Sequence, residues 1–286
     1  MSTDANASTP FDPSTWFTEV CKEAGSVIGW QIDAHLDHVE TEFQTIDIYQ
    51  TRQWGKLMTI DGFVMLTTRD NFLYHEMMTH PALFSHPAPK RVAIIGGGDC
   101  GTLREVLAHA GVESAVQCEI DEQVTRLSEQ HFPELCERNA DPRAELVFDD
   151  GLAWIRNAEP GSLDLILVDS TDPIGPAEGL FGPGFVADCY KALADGGILV
   201  QQSESPLIHQ HLIEGIRQNM ERAGFDTIRT LGFPQPCYPS GWWSATQARK
   251  GGMLTPPSAE RFADSGIRTR YYNPEVHRGA LATQLP

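Results

Sequence analysis

Five short apolar runs between residues 91 and 201 constrain the fold more than any other feature of this chain. They are Arg91–Ile95, Ala115–Glu119, Ala144–Phe148, Asp164–Val168 and Ile198–Gln201. Helical patterns fall between them, including Thr102–Ala110, Glu122–His131 and Phe185–Ala194. Parallel strands cannot be joined by tight hairpins and need a crossover, so this alternation predicts an α/β fold of Rossmann type. The sheet should be mostly parallel, with helices on both faces. A further helix over His209–Ala223 leads to strand candidates near Thr227–Leu231 and Trp242–Thr246.

The first 70 residues follow another pattern. Residues 1–14 are rich in Ser, Thr, Pro and Asp and are expected to be mobile. Order is expected to begin at Trp16-Phe17-Thr18-Glu19, and strands from about Ala34 to Thr68. Ile46 and Ile48 alternate onto one face, and Asp61-Gly62 between strand-like runs reads as a hairpin turn. This predicts a small N-terminal antiparallel β domain over 15–71, followed by a catalytic domain over 72–286. Asn71 to His86 turns helical, with Pro81 expected to kink or interrupt the helix.

The bulk numbers exclude some partners. The formal net charge is −18, with 39 acids against 21 bases. A phosphate-binding surface needs clustered Lys and Arg, so nucleic acid is not an expected partner. No apolar run approaches the ~20 residues of a membrane span, and the N-terminus lacks a signal pattern, so a cytoplasmic protein is expected. The six cysteines form no C-x-x-C and no zinc-type spacing with histidine. Reduced thiols, no metal and no cofactor are the corresponding expectations.

Chemistry is concentrated at the first α/β crossover. Val92 to Arg104 reads Val-Ala-Ile-Ile-Gly-Gly-Gly-Asp-Cys-Gly-Thr-Leu-Arg. Gly96, Gly98 and Gly101 give G-x-G-x-x-G after a strand, and Glu119 lies 18 residues beyond the last glycine. That layout lets backbone approach a nucleotide and places an acid against ribose hydroxyls. Asp99 is unusual, because a carboxylate inside the loop repels phosphate. The other strand ends are acidic too: Asp149-Asp150, Asp169 to Asp172, and Glu204. Helix capping explains Asp121 and suits Asp150, but it does not explain acids at five consecutive strand ends. A negative cleft beside a nucleoside pocket calls for a cationic ligand. Asp99 opposes the pyrophosphate of a dinucleotide and the carboxylate of S-adenosylmethionine. It would pair with the terminal ammonium of decarboxylated S-adenosylmethionine.

These residues resemble the polyamine aminopropyltransferases, the spermidine synthases in particular. The resemblance runs from about residue 15 to about 280 and includes Trp16-Phe17-Thr18-Glu19, Glu42-Phe43-Gln44, Arg69-Asp70, Tyr74-His75-Glu76-Met77-Met78 and Gly96-Gly97-Gly98-Asp99. It continues through Gln117-Cys118-Glu119-Ile120-Asp121, Asp149-Asp150-Gly151, Asp169-Ser170-Thr171-Asp172-Pro173-Ile174-Gly175-Pro176-Ala177, Tyr238-Pro239-Ser240-Gly241 and Tyr271-Tyr272-Asn273-Pro274-Glu275-Val276-His277. It implies a methyltransferase-like α/β domain preceded by a β domain, and a homodimer or higher homo-oligomer. It also implies aminopropyl transfer from decarboxylated S-adenosylmethionine to putrescine, leaving methylthioadenosine.

The resemblance assigns roles residue by residue. Asp169 would be the base and Tyr74 would orient the attacking amine. Glu119 would meet the ribose, and Asp150 with Gly151 the adenine amino group. Gln44, His75 and Asp99 would surround the sulfonium and aminopropyl arm, beside Gly96 and Gly98. Asp172, Glu204 and Tyr238 would hold the acceptor's far end, with Trp16 and Trp243 as apolar walls. Asp172 to Phe181 would close as a lid. The chain departs from the family at Cys100, where Gly is usual and a thiol would join the pocket floor, and at Cys237, where Thr is usual. The tail after His277 reads as short and irregular. Cadaverine, agmatine or spermidine stay open as acceptors, as do two rival assignments, a methyltransferase and a noncatalytic polyamine-binding protein.

Overall fold

The computed structural model describes residue 12 and residues 14–282. The expected mobility of residues 1–14 therefore falls mostly outside the described residues. The chain divides into two compact units between Arg69 and Asp70.

The first unit is a five-stranded antiparallel meander, ordered β1 (Trp16–Cys21), β2 (Ser26–Glu40), β3 (Thr45–Thr51), β4 (Lys56–Ile60) and β5 (Phe63–Thr67). Ile46 and Ile48 are fully buried, as their alternation predicts. Asp61 and Gly62 take positive φ (51° and 81°) in the β4–β5 turn, which suits the twist of a tight hairpin. Strand structure begins well before Ala34. The first half of β2 pairs with β1 in unbroken antiparallel register, from Trp16 opposite Gln31 to Cys21 opposite Ser26, and its second half slips twice against β3.

The second unit is built on a seven-stranded sheet. Its strands are β6 (Arg91–Gly96), β7 (Ser114–Glu119), β8 (Ala144–Phe148), β9 (Leu163–Asp169), β10 (Leu193–Gln202), β11 (Thr227–Pro234) and β12 (Trp242–Arg249), in the order β11-β12-β10-β9-β6-β7-β8. β10, β9, β6, β7 and β8 run parallel, and β12 is antiparallel to both neighbours. The helices are α1 (Asn71–Ser85), α2 (Gly101–Leu107), α3 (Glu122–His131), α4 (Gly151–Asn157), α5 (Pro183–Ala192), α6 (Gln210–Ala223), α7 (Ala259–Asp264) and α8 (Pro274–Ala282). Among the described residues no helix is long and apolar enough to cross a membrane.

Alternation along each strand divides the core into two faces. Val92, Ile94, Leu165, Leu167, Ile198 and Val200 pack with α1 and α2. Ala93, Ile95, Ile166, Val168 and Leu199 pack with α4, α5 and α6. β12 is buried from Trp243 to Ala248 although it reads as polar. Its hydroxyls pair across the ladder, Ser203 with Ser244 and Thr230 with Thr246, each at 2.9 Å.

Two expectations are corrected. α1 runs unbroken through Pro81. Proline removes one helical hydrogen bond, but almost every residue of α1 is buried, so packing rather than the ladder fixes the helix. The tail is not irregular, because α8 spans Pro274–Ala282 with His277 and Ala280 buried. Glu76 ties the preceding turn to α1, accepting from the backbone N–H groups of Arg270, Tyr271 and Tyr272 at 2.7–2.8 Å.

Candidate active site

The chain runs β6, β7, β8 to one side and then returns to place β9 on the other side of β6. The crevice beyond the carboxyl ends of β6 and β9 is the switch point where ligands bind in such sheets. The glycine loop closes one wall. Gly97 N–H donates to the Asp169 carbonyl at 2.7 Å, and a Cβ on Gly96, which has φ +81°, would stand 2.2 Å from that oxygen. Only glycine lets the two strand ends approach this closely.

Asp169 follows Leu165 and Leu167 in the period of two, so its carboxylate turns to the face of α1 and α2. There the Tyr74 hydroxyl donates to Oδ1 at 2.7 Å and the Thr102 hydroxyl to Oδ2 at 2.6 Å. Burial and the nearby charge of Asp99 hold Asp169 above the ordinary carboxylate range, against these two hydrogen bonds. Burial and the Asp169 charge likewise push the Tyr74 phenol well up, so it stays a donor. Thr102 is a site residue that the sequence reasoning missed. Its signal was present, since it opens the helix directly after the last glycine of the loop.

Asp99 accepts from the Gly101 N–H at 2.7 Å through one oxygen, and its other oxygen lies 3.4 Å from His75 Nε2. Burial raises Asp99 to about 6 and lowers His75 to about 4, so at neutral pH the imidazole is uncharged. Nε2 of His75 has no hydrogen-bond partner among the described residues. His75, Asp99 and Asp169 offer ligand atoms within 4.8 Å of one another. A partly buried concentration of negative charge of this kind suits an organic cation.

Glu119 sits behind the loop. It accepts from Gly98 N–H at 3.1 Å and Asp121 N–H at 3.0 Å, and burial raises it to about 7. Asp121 and Asp150 both cap helices, accepting from Gln123 and Leu152 N–H. Asp150 thus has a structural task at the rim besides any ligand. Gly151 begins α4 so close to β6 that a Cβ there would lie 2.5 Å from Ile95 Cγ2.

A chain of aromatic rings leads from Tyr74 to the end of β10. Tyr74 and Tyr238 are 6.0 Å apart by centroids, Tyr238 and Trp243 are 4.6 Å, and Trp243 and His209 are 6.4 Å. His209 Nδ1 then lies 3.2 Å from Glu204 Oε2. Glu204 is buried at φ +64°, a strained conformation for a non-glycine residue, and Gln202 Nε2 donates to its Oε1 at 3.1 Å. His209 and Gln202 were not foreseen as site residues; a lone His and Gln carry no sequence signal. The buried Trp243 N–H has no hydrogen-bond partner among the described residues.

The remaining expected residues are placed as follows. Trp16 begins β1 and Gln44 precedes β3, both in the first unit. Asp172 lies in the loop after β9, on the same rim as Asp150. The segment 172–181 is not uniformly free to move. Ala177 and Leu180 are buried, and the Leu180 and Phe181 carbonyls accept from Gln201 and Asn219, whereas Ile174 is exposed. Cys100 adds no thiol to the pocket. It is fully buried, and Sγ lies 3.5 Å from both the Gly98 carbonyl and Gln117 Nε2. Its φ of +67° shows why glycine suits the position. Cys237 is also fully buried, accepting from Gln235, while its N–H donates to Asp70.

Comparison with known proteins agrees with this geometry. Residues 71–255 match the Spermine/spermidine synthase domain, and residues 15–68 match the Spermidine synthase tetramerisation domain. The chain is 61% identical over 269 residues to a polyamine aminopropyltransferase of Xanthomonas euvesicatoria pv. vesicatoria (strain 85-10), covering 93% of this chain and 94% of that one. It belongs to the polyamine aminopropyltransferase family. The homologue from Xanthomonas axonopodis pv. citri (strain 306) is 60% identical over 267 residues, with the same coverage of 93% and 94%. Among solved structures, a spermidine synthase in complex with the transition state analogue AdoDATO aligns with TM-score 0.91 at 33% identity, covering 96% of this chain and 93% of that one. Spermidine synthase from Thermotoga maritima aligns with TM-score 0.88 at 32% identity, covering 96% and 92%. This aminopropyltransferase carries Asp99, Asp150, Asp169 and Asp172 at the carboxyl rim of the sheet.

Proposed function

We propose that this aminopropyltransferase moves the aminopropyl group of decarboxylated S-adenosylmethionine to putrescine, giving spermidine and methylthioadenosine. The observation that carries this is the Asp169 carboxylate, gripped by Tyr74 and Thr102 at the switch point beside partly buried Asp99. The putrescine nitrogen attacks the methylene next to sulfur in line. The new N–C bond forms as the C–S bond breaks, sulfur leaves neutral, and the surplus amine proton passes to Asp169. A free amine has a pKa of about 10.4, so burial that raises Asp169 and destabilises ammonium favours this transfer in both partners. Holding amine and methylene in near-attack geometry supplies up to ~7–11 kcal/mol.

In the same proposal Asp99 takes the donor's terminal ammonium, with His75 about the sulfonium. Glu119 accepts from the ribose, and Asp150 and Gly151 border the adenine. The aromatic chain from Tyr74 through Tyr238 and Trp243 sheathes the four-carbon acceptor. Glu204 and Asp172 receive its far ammonium. Residues 172–176 close over the pair, hinged on the anchored turn 177–181. A homo-oligomer is supported by the match of residues 15–68 to a tetramerisation domain. A cytoplasmic setting suits the six free thiols.

The test is Asp169→Asn, which keeps the size, leaves one acceptor oxygen where the carboxylate offers two to Tyr74 and Thr102, and removes the base. Turnover should fall by about 10²–10⁴, the range of a general base, while donor affinity changes by no more than a few-fold. Unchanged turnover would remove Asp169 from this role.

A further inference from the structure

The first unit carries a second cluster of ligating side chains, His35 and His38 on β2 and Asp47 on β3. Residues three apart in a regular strand face opposite sides. Here the β2–β3 register slips at Leu36, with His35 opposite Tyr49 but Asp37 opposite Ile48 and His38 opposite Asp47. The bulge brings both imidazoles to the face that Asp47 and Tyr49 share, away from buried Ile46 and Ile48. His35 Nε2 and His38 Nδ1 then reach one oxygen, Asp47 Oδ1, at 2.7 and 2.8 Å. The three residues offer ligand atoms within 4.8 Å of one another.

The rings are also oriented from behind. His35 stacks on Tyr49, with centroids 4.5 Å apart and planes 18° apart. His38 turns its other nitrogen, Nε2, to Glu40 Oε1 at 3.5 Å. A carboxylate behind a ligating imidazole is how metal-bound histidines fix tautomer and direction. The Asp47 side chain is 14% exposed, whereas the His35 and His38 side chains are 45% and 49% exposed, so the anchor is fixed and the entrance is open.

We propose that His35, His38 and Asp47 bind one divalent first-row transition ion of borderline softness, with Zn²⁺ as the reference case. Two imidazole nitrogens and one carboxylate oxygen make a three-ligand set that leaves positions for water. Ligand atoms around zinc stand at about 3.3 Å from one another, given bonds of 2.0–2.1 Å. The two present contacts need to widen by only about half an ångström. The ion takes the place of the hydrogens through which both rings now meet Asp47 Oδ1. The acidic chain, at −18, draws cations toward it. This site is separate from His75, Asp99 and Asp169, which serve the proposed transfer.

The experiment is calorimetric titration of the full-length protein with ZnCl₂. One equivalent per chain should bind, and Co²⁺ should give visible absorption at the same stoichiometry. His35→Ala and His38→Ala should each abolish that equivalent, and Glu40→Gln should weaken it about tenfold. All three are on an open face, and unchanged melting curves confirm folding. Asp99→Asn, in the other cluster, should leave it intact. No Zn²⁺ binding by the wild type, binding that survives both histidine variants, or loss on Asp99→Asn would each overturn the proposal.

Discussion

Asp99→Asn tests the donor preference. In the structure Asp99 is partly buried, with one oxygen on the Gly101 N–H and the other toward His75. An ammonium paired with that second oxygen gains a charge-assisted hydrogen bond of about 1.5–3 kcal/mol, or roughly 10- to 150-fold in affinity. The substitution keeps the side chain's shape and removes its charge. Calorimetric Kd values for decarboxylated S-adenosylmethionine should rise by that factor. Those for S-adenosylmethionine should not rise, since its carboxylate no longer meets a like charge. Asp99 titrates near 6 in the empty protein because burial penalises its charge. Its ionised fraction is about 0.9 at pH 7 and about 0.1 at pH 5. The wild type should therefore lose about tenfold in donor affinity over that interval, and Asp99→Asn should not. The reasoning is refuted if the wild type holds both donors equally tightly, or if Asp99→Asn leaves the decarboxylated donor's Kd unchanged.

Three further outcomes follow from the geometry. Tyr74→Phe removes the 2.7 Å hydrogen bond to Asp169; kcat should fall at least tenfold with donor Kd unaltered, and the acidic limb of the rate profile should move to higher pH as Asp169 loses a partner that favours its charge. Glu119, raised to about 7 by burial from an unfolded value of 4.5, binds more protons folded than unfolded between those pH values, so its contribution to stability declines as pH rises through that window. Glu119→Gln should shrink the drop in melting temperature between pH 5 and pH 7, by about 2 kcal/mol in stability terms. Glu76→Ala leaves three backbone N–H groups without their carboxylate, and should lower stability by about 3 kcal/mol or more with early exchange of amides 270–272.

The parallel strands were legible because buried β-branched runs flanked by turn residues have few other uses; β8 and α3 begin and end where their patterns do. The second half of β2 fell within the expected strands, but the register slip between His35 and Asp37 broke the period of two and so concealed that His35 and His38 share a face. β10 begins at Leu193, before Asp195-Gly196-Gly197, which reads as a turn; a register slip against β9 absorbs it. In the site, glycines and acids announce themselves by type and spacing. Thr102, Gln202 and His209 act through neighbours that only the folded sheet supplies, and Cys100 could be located only once its left-handed backbone and complete burial were seen.

The most direct measurement is product formation by the purified protein given decarboxylated S-adenosylmethionine and putrescine. The account predicts methylthioadenosine and spermidine released in equal amounts, with less release when cadaverine, agmatine or spermidine replaces putrescine. No methylthioadenosine with any of these amines, or faster release with another acceptor than with putrescine, would contradict it.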